Sequence, residues 1–122
     1  MRGRHHRRRL DDAAFESMLA SGRTFVVRRT ALGFRVLIRH PYGRVTRLGP
    51  AWRDGRADFA STEQVARAIA RDALRRPPRR EEVSQVATLL GGRSARWELH
   101  EADVRAAAAR ATQTSRTGRA AA

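Results

Sequence analysis

The residues of this chain that stand out for chemistry are its arginines. Twenty-six arginines and no lysine face only twelve Asp and Glu in 122 residues, a formal net charge of +14. A guanidinium stays protonated at any physiological pH and presents a planar fork of donors that matches a phosphate, so its chemistry is anion binding rather than proton transfer. Each arginine placed on a nucleic-acid phosphate also releases a condensed counterion, which makes a polyanion the expected partner. A GC-rich genome accounts for arginine over lysine, but not for the excess over acids. From Phe25 to Arg53 there is no acid at all, while Arg28, Arg35, Arg39, Arg44 and Arg47 fall in that stretch.

Other catalytic chemistry is thinly supplied. The absence of cysteine removes disulfides, thiolate zinc sites and a thiol nucleophile, and suits a reducing, cytoplasmic setting. His5, His6, His40 and His100 lack metal-ligand spacing, and Asp54 and Asp58 lack the alternating oxygen ligands of a calcium loop. No phosphate-binding loop or dinucleotide fingerprint occurs, so the expectation is no metal and no cofactor. His40 is the one candidate general base, because it lies inside the basic stretch, although a turn residue before Pro41 is its commoner role.

The pattern around these residues defines the elements that hold them. Residues 1–9 carry Arg2, Arg4, Arg7, Arg8 and Arg9 without an acid and read as a disordered basic arm. Leu10, Ala14, Phe15, Met18 and Leu19 recur at helical spacing, with Asp11 and Asp12 in the first turn and Gly22 beyond the end. Three acids, Asp11, Asp12 and Glu16, interrupt any apolar export signal. The period then changes to two. Phe25 and Val27, then Phe34, Val36 and Ile38, alternate with arginines, and a turn at His40–Gly43 leads to a third strand over Val45–Leu48. That is an antiparallel meander with arginines on its open face.

After a loop over 49–58, with a short strand expected near Ala57–Ala60, Ser61 and Gln64 read as a capping box for a helix over 62–76 stopped by Pro77 and Pro78. Glu81–Leu90 reads as a second helix, Ala95, Trp97 and Leu99 as a short strand, and Glu101–Ala111 as an alanine-rich helix. Residues 112–122 lack apolar anchors and read as a disordered tail. The domain expectation is therefore an arm (1–9), an α-β-β-β-α basic core (10–76), a helical extension (77–111) and a tail. The fold class is α+β: a small antiparallel sheet of three to four strands with one helix before it and about three after.

The order helix, three strands, helix is the layout of a double-stranded-RNA-binding-like core. Within it, Gly33-Phe34-Arg35-Val36-Leu37-Ile38-Arg39-His40-Pro41-Tyr42-Gly43-Arg44 resembles the central hairpin of HicA-type mRNA interferase toxins, over residues 13–50 in all. The position that matches the family's catalytic histidine is Arg35, and arginine cannot act as a base. The resemblance thus implies an RNA-directed relative without the nuclease step, unless His40 supplies it. Arg96-Trp97-Glu98-Leu99-His100-Glu101-Ala102-Asp103-Val104 is similar to the last strand and helix of excisionase-like DNA-binding proteins, but the recognition helix that should precede it is missing.

These readings lead to one functional expectation and two alternatives. The expectation is phosphate-directed binding of RNA or DNA, RNA slightly favoured, through Arg28, Arg35, Arg39, Arg44 and Arg47 with Arg7, Arg8 and Arg9, while Tyr42 and Trp52 stack on bases. The alternatives are a module that docks an acidic protein partner and a small metal-independent ribonuclease built on His40. No membrane partner is expected, and a homodimer is open through an edge strand or the alanine-rich helix.

Overall fold

The computed structural model describes residues 22–49 and 58–121. The basic arm, the helix expected over 10–21, and Trp52 and Asp54 of the loop lie outside the described residues.

Period-two alternation becomes a four-stranded antiparallel sheet: β1 (Thr24–Thr30), β2 (Gly33–Arg39), β3 (Val45–Leu48) and β4 (Arg96–His100), in spatial order β3-β2-β1-β4. Three helices belong to the described residues, α1 (Thr62–Leu74), α2 (Arg80–Ala87) and α3 (Glu101–Ala121), and the class is α+β as the sequence indicates. One face of the sheet turns Phe25 and Val27 of β1, Phe34, Val36 and Ile38 of β2, and Trp97 and Leu99 of β4 into a single core. Val65, Ile69 and Ala73 of α1, Val83 and Val86 of α2, and Val104, Ala107 and Ala108 of α3 complete it. Burial of these apolar side chains is the main force holding the layers together.

Residues 77–111 are not a separate extension. β4 pairs along β1 from Thr24↔His100 to Arg28↔Arg96, so the sheet is complete only when the chain returns after two helices. Trp97, the second residue of that strand, packs its ring 6.2 Å from that of Phe34 and is core. The strand expected near Ala57–Ala60 is a single antiparallel bridge, Phe59↔Phe34, beside β2 beyond the end of its pairing with β3. That bridge explains Gly33: a Cβ there would lie 2.1 Å from the Phe59 carbonyl oxygen, and the backbone φ of +138° is one that a side chain opposes.

Helix boundaries follow local chemistry, with three corrections. Ser61 caps α1 by accepting from Gln64 N, and the Gln64 side chain accepts from Ala60 N, so the expected box closes one residue upstream of its usual target. The helix ends at Leu74, two residues early, because Arg75 adopts the left-handed conformation (φ 57°) that closes the last turn. The second helix is α-helical only through Ala87 and tightens to a 3₁₀ turn over Thr88–Leu90, where the Thr88 hydroxyl donates to the Gln85 carbonyl. The expected tail is helical: α3 continues to Ala121, ten residues past the expected end. Apolar anchors are indeed lacking there, and with three Thr, a Ser and a Gly against two Ala in residues 112–121 the local propensity is weak; without proline to stop it, the segment propagates the helix that the packed turns around Val104, Ala107, Ala108 and Ala111 nucleate.

Buried ions tie the layers. Glu101, fully buried at the start of α3, accepts from Arg23 Nε at 2.9 Å and Nη2 at 2.7 Å, a bidentate pair just before β1. Arg23 Nη2 also stands 2.7 Å from Asp72 Oδ2 of α1; this is an ion pair by distance, but its angle leaves Oδ2 without a directed hydrogen bond. Arg105 adds a contact to Glu101 at 3.4 Å and donates to the Ala73 carbonyl. The Glu101 carboxylate, with Asp72 beside it, holds the Arg23 guanidinium above its ordinary pKa against the opposing effect of burial.

Candidate nucleic-acid interface

The face of the sheet opposite the core carries the candidate site. Register places Arg35 of β2, Arg28 of β1 and Arg96 of β4 side by side in one row across three strands. Neighbouring strands lie about 4.8 Å apart, so the row spans roughly 10 Å. All three side chains are exposed. The next row is Arg47, Leu37, Val26 and Glu98, and the third is Val45, Arg39, Thr24 and His100. The open face is therefore basic at one end and mixed at the other, with Val26 only 5% exposed at its centre.

The acid-free run from Phe25 to Arg53 does not leave this face uncompensated, because carboxylates arrive from distant segments. Asp58 Oδ1 lies 3.4 Å from Arg35 Nε and 3.5 Å from Arg47 Nη2, while its Oδ2 accepts from the Thr30 hydroxyl at 2.8 Å. The Thr30 hydrogen bond, then the two arginines, hold the Asp58 carboxyl below the ordinary range. Glu98 of β4 reaches across β1 to Arg39 Nη2 at 2.8 Å and stands 3.6 Å from Arg96. That bridge runs diagonally across β1, since Arg39 stands opposite Thr24 and Glu98 opposite Val26, and it lowers the Glu98 pKa, chiefly through the hydrogen bond from Arg39. Sequence distance concealed both acids, since Asp58 follows a loop and Glu98 belongs to the strand that joins last.

Five arginines and two carboxylates remain on the face. Among the described residues no acid lies within ion-pairing distance of Arg28, at the centre of the row, or of Arg44, in the β2–β3 turn. Arg96 was not among the sequence candidates; its alternation with Trp97 and Leu99 marks it as outward-facing, but only the pairing of β4 with β1 brings it beside Arg28. Arg29 is excluded from the face. It lies on the core side, its guanidinium 5.1 Å from the Phe34 ring centre and 5.8 Å from that of Trp97.

His40 is at the far end of the sheet from the row. Its Nε2 is 2.9 Å from the Thr46 hydroxyl, and its backbone closes the hairpin through His40 N to the Arg44 carbonyl and Gly43 N to the His40 carbonyl. The structure thus gives it the turn role, away from the arginine row, and among the described residues no carboxylate pairs with its ring. Tyr42 is exposed on the same turn, away from the row. Arg7, Arg8, Arg9 and Trp52 lie outside the described residues. The Arg75–Arg80 cluster is partly neutralised: Glu82 accepts from both terminal nitrogens of Arg76, at 2.9 and 2.6 Å, and from Arg79 N at 2.8 Å. Led by the Arg76 hydrogen bonds, these contacts lower the Glu82 pKa to about 2.

Among the described residues no group of His, Asp and Glu is arranged to hold a metal ion, and no helix is long and apolar enough to cross a membrane. In comparisons with known proteins, no family model, no curated protein and no solved structure matches this chain.

Proposed function

We propose that this protein binds nucleic acid through the open face of its sheet, by contacts to phosphates and without reading base sequence. The observation that carries the proposal is the row Arg35–Arg28–Arg96, three exposed guanidiniums on adjacent strands with Arg28 unopposed by any described acid. Strands fix the spacing of such donors, so several phosphates of one backbone are engaged at once with little ordering cost. Arg39, Arg44 and Arg47 extend the face, and the five arginines of residues 1–9 add electrostatic reach. The resemblance of residues 13–50 to HicA-type toxins favours RNA over DNA and a cytoplasmic setting. A ribonuclease reading is weaker: Arg35 occupies the matching catalytic position, and His40 is engaged in its hairpin, away from the row.

The test is a gel-shift titration with single- and double-stranded RNA and DNA at two salt concentrations. Reversing Arg28, Arg35 and Arg96 together to glutamate is expected to lower affinity about 100-fold at low salt, and to reduce the salt slope by about 2–3, since each lost phosphate contact removes 0.7–0.9. Unchanged affinity in the triple variant would falsify the proposal and direct the basic face to an acidic protein partner.

A further inference from the structure

A groove of about 890 Å³ runs along α1 on the core side of the sheet, beside the β3 edge. Leu48, Phe59, Ala68 and Pro77 give it an apolar floor, and Arg67, Arg71 and Arg75, at helical spacing of four, form a basic rim. An apolar trough with a cationic wall fits an amphipathic helix that carries acids along one border of its apolar stripe. The chain supplies such a segment. Leu10, Ala14, Phe15, Met18 and Leu19 share one side of a helix drawn over residues 10–21, and Asp12 and Glu16, four residues apart, fall next to that stripe.

We infer that residues 10–21 occupy this groove, with Asp12 facing Arg67 and Glu16 facing Arg71. Tether geometry supports the match. Arg23, two residues after the segment, is ion-paired at 2.7 Å to Asp72, and Asp72 lines the same groove. The segment therefore starts back along α1 from the groove's C-terminal end. Twelve helical residues span about 18 Å, close to the roughly 15 Å of α1 from Gln64 to its end at Leu74. Running that length parallel to α1 brings Leu10 to the Gln64–Phe59 end, where Phe59 pairs with Phe34 beside the row that contains Arg35. Docking thus directs the five arginines of residues 1–9 toward the arginine row; this last consequence rests on the nucleic-acid reading, whereas the docking does not.

The absence of native cysteine makes the test direct. In the full chain, the pair Phe15→Cys and Ala68→Cys, treated with a short bis-maleimide, is expected to cross-link within one molecule at least tenfold faster than Phe15→Cys with Thr88→Cys on the exposed 3₁₀ turn. Adding R67E and R71E is expected to slow the first cross-link several-fold, and adding D12R and E16R to that background to restore it. Restoration reads the proposed pairing itself, and all four charge changes are made in a chain whose fold is checked by circular dichroism. Cross-links only between chains, which would place a second copy in the groove, or equal rates for both cysteine pairs, or no response to the charge reversals, would overturn the inference. None of these outcomes depends on whether the protein binds nucleic acid.

Discussion

Arg23 and Arg28 are the same residue type five positions apart, yet they do opposite work. Arg23 is buried against Glu101 and Asp72 and joins the start of the sheet to two helices, while Arg28 stands exposed between Arg35 and Arg96 with no described acid opposing it. The difference shows that a high arginine count is not a single property. Some of the charge is consumed in holding the layers together, and what remains on the open face is the part available to a partner. A formal net charge of +14 describes neither fraction.

The strongest way to break that contrast is to exchange the two residues' consequences. Arg23→Ala leaves the Glu101 carboxylate buried with only Arg105 at 3.4 Å, and is expected to cost about 3 kcal/mol of stability in chemical denaturation. Arg28→Ala is expected to stay within about 0.5 kcal/mol of the parent, as exposed substitutions do. Equal losses for the two variants would show that the distinction between structural and free arginines is wrong.

A second structural arginine pair sharpens the contrast through pH. Glu82 is buried, and Arg76 holds its pKa at about 2, below the 4.5 of an unperturbed glutamate. The stability this contributes is complete above pH 4.5 and is lost as pH falls toward 2. Glu82→Gln is expected to cost about 1–2 kcal/mol at neutral pH, discounted because Arg76 is half exposed, and to flatten the acid limb of a stability-against-pH curve. An acid limb identical in the variant would place the acid sensitivity elsewhere.

The smallest expected effect concerns the boundary between the two classes. Glu98 holds Arg39 and Arg96 on the open face, where under the proposed function it would compete with an incoming phosphate. Glu98→Gln is expected to raise nucleic-acid affinity about threefold to tenfold at low salt, with little change in melting temperature. Weaker binding would mean that Glu98 orients these arginines productively rather than competing for them.

Much of this molecule was legible locally. The alternation of Phe34, Val36 and Ile38 with Arg35 and Arg39 placed β2 and its two faces, and Ser61 with Gln64 placed the start of α1. Trp97 was recognisable as core from its spacing with Leu99. Three misreadings share a cause. Asp58 and Glu98 were invisible as partners of Arg35 and Arg39, and Arg96 as a member of the row, because each enters through a contact between segments far apart in sequence. The end of α3 was misjudged for a different reason: weight was given to missing apolar anchors, whereas a helix nucleated by packed turns over Glu101–Ala111 propagates beyond them at little further cost.

The sequence by itself determined the amount and sign of the charge, the period of each element and the absence of thiol chemistry, because these depend only on residue type and near neighbours. Tertiary structure alone decided that residues 96–100 complete the sheet, which arginines are neutralised, and that Arg28 lies at the centre of a three-strand row. Strand register and ion pairing across β1 are set by packing of the common core, and no local pattern encodes which distant carboxylate will reach a given guanidinium.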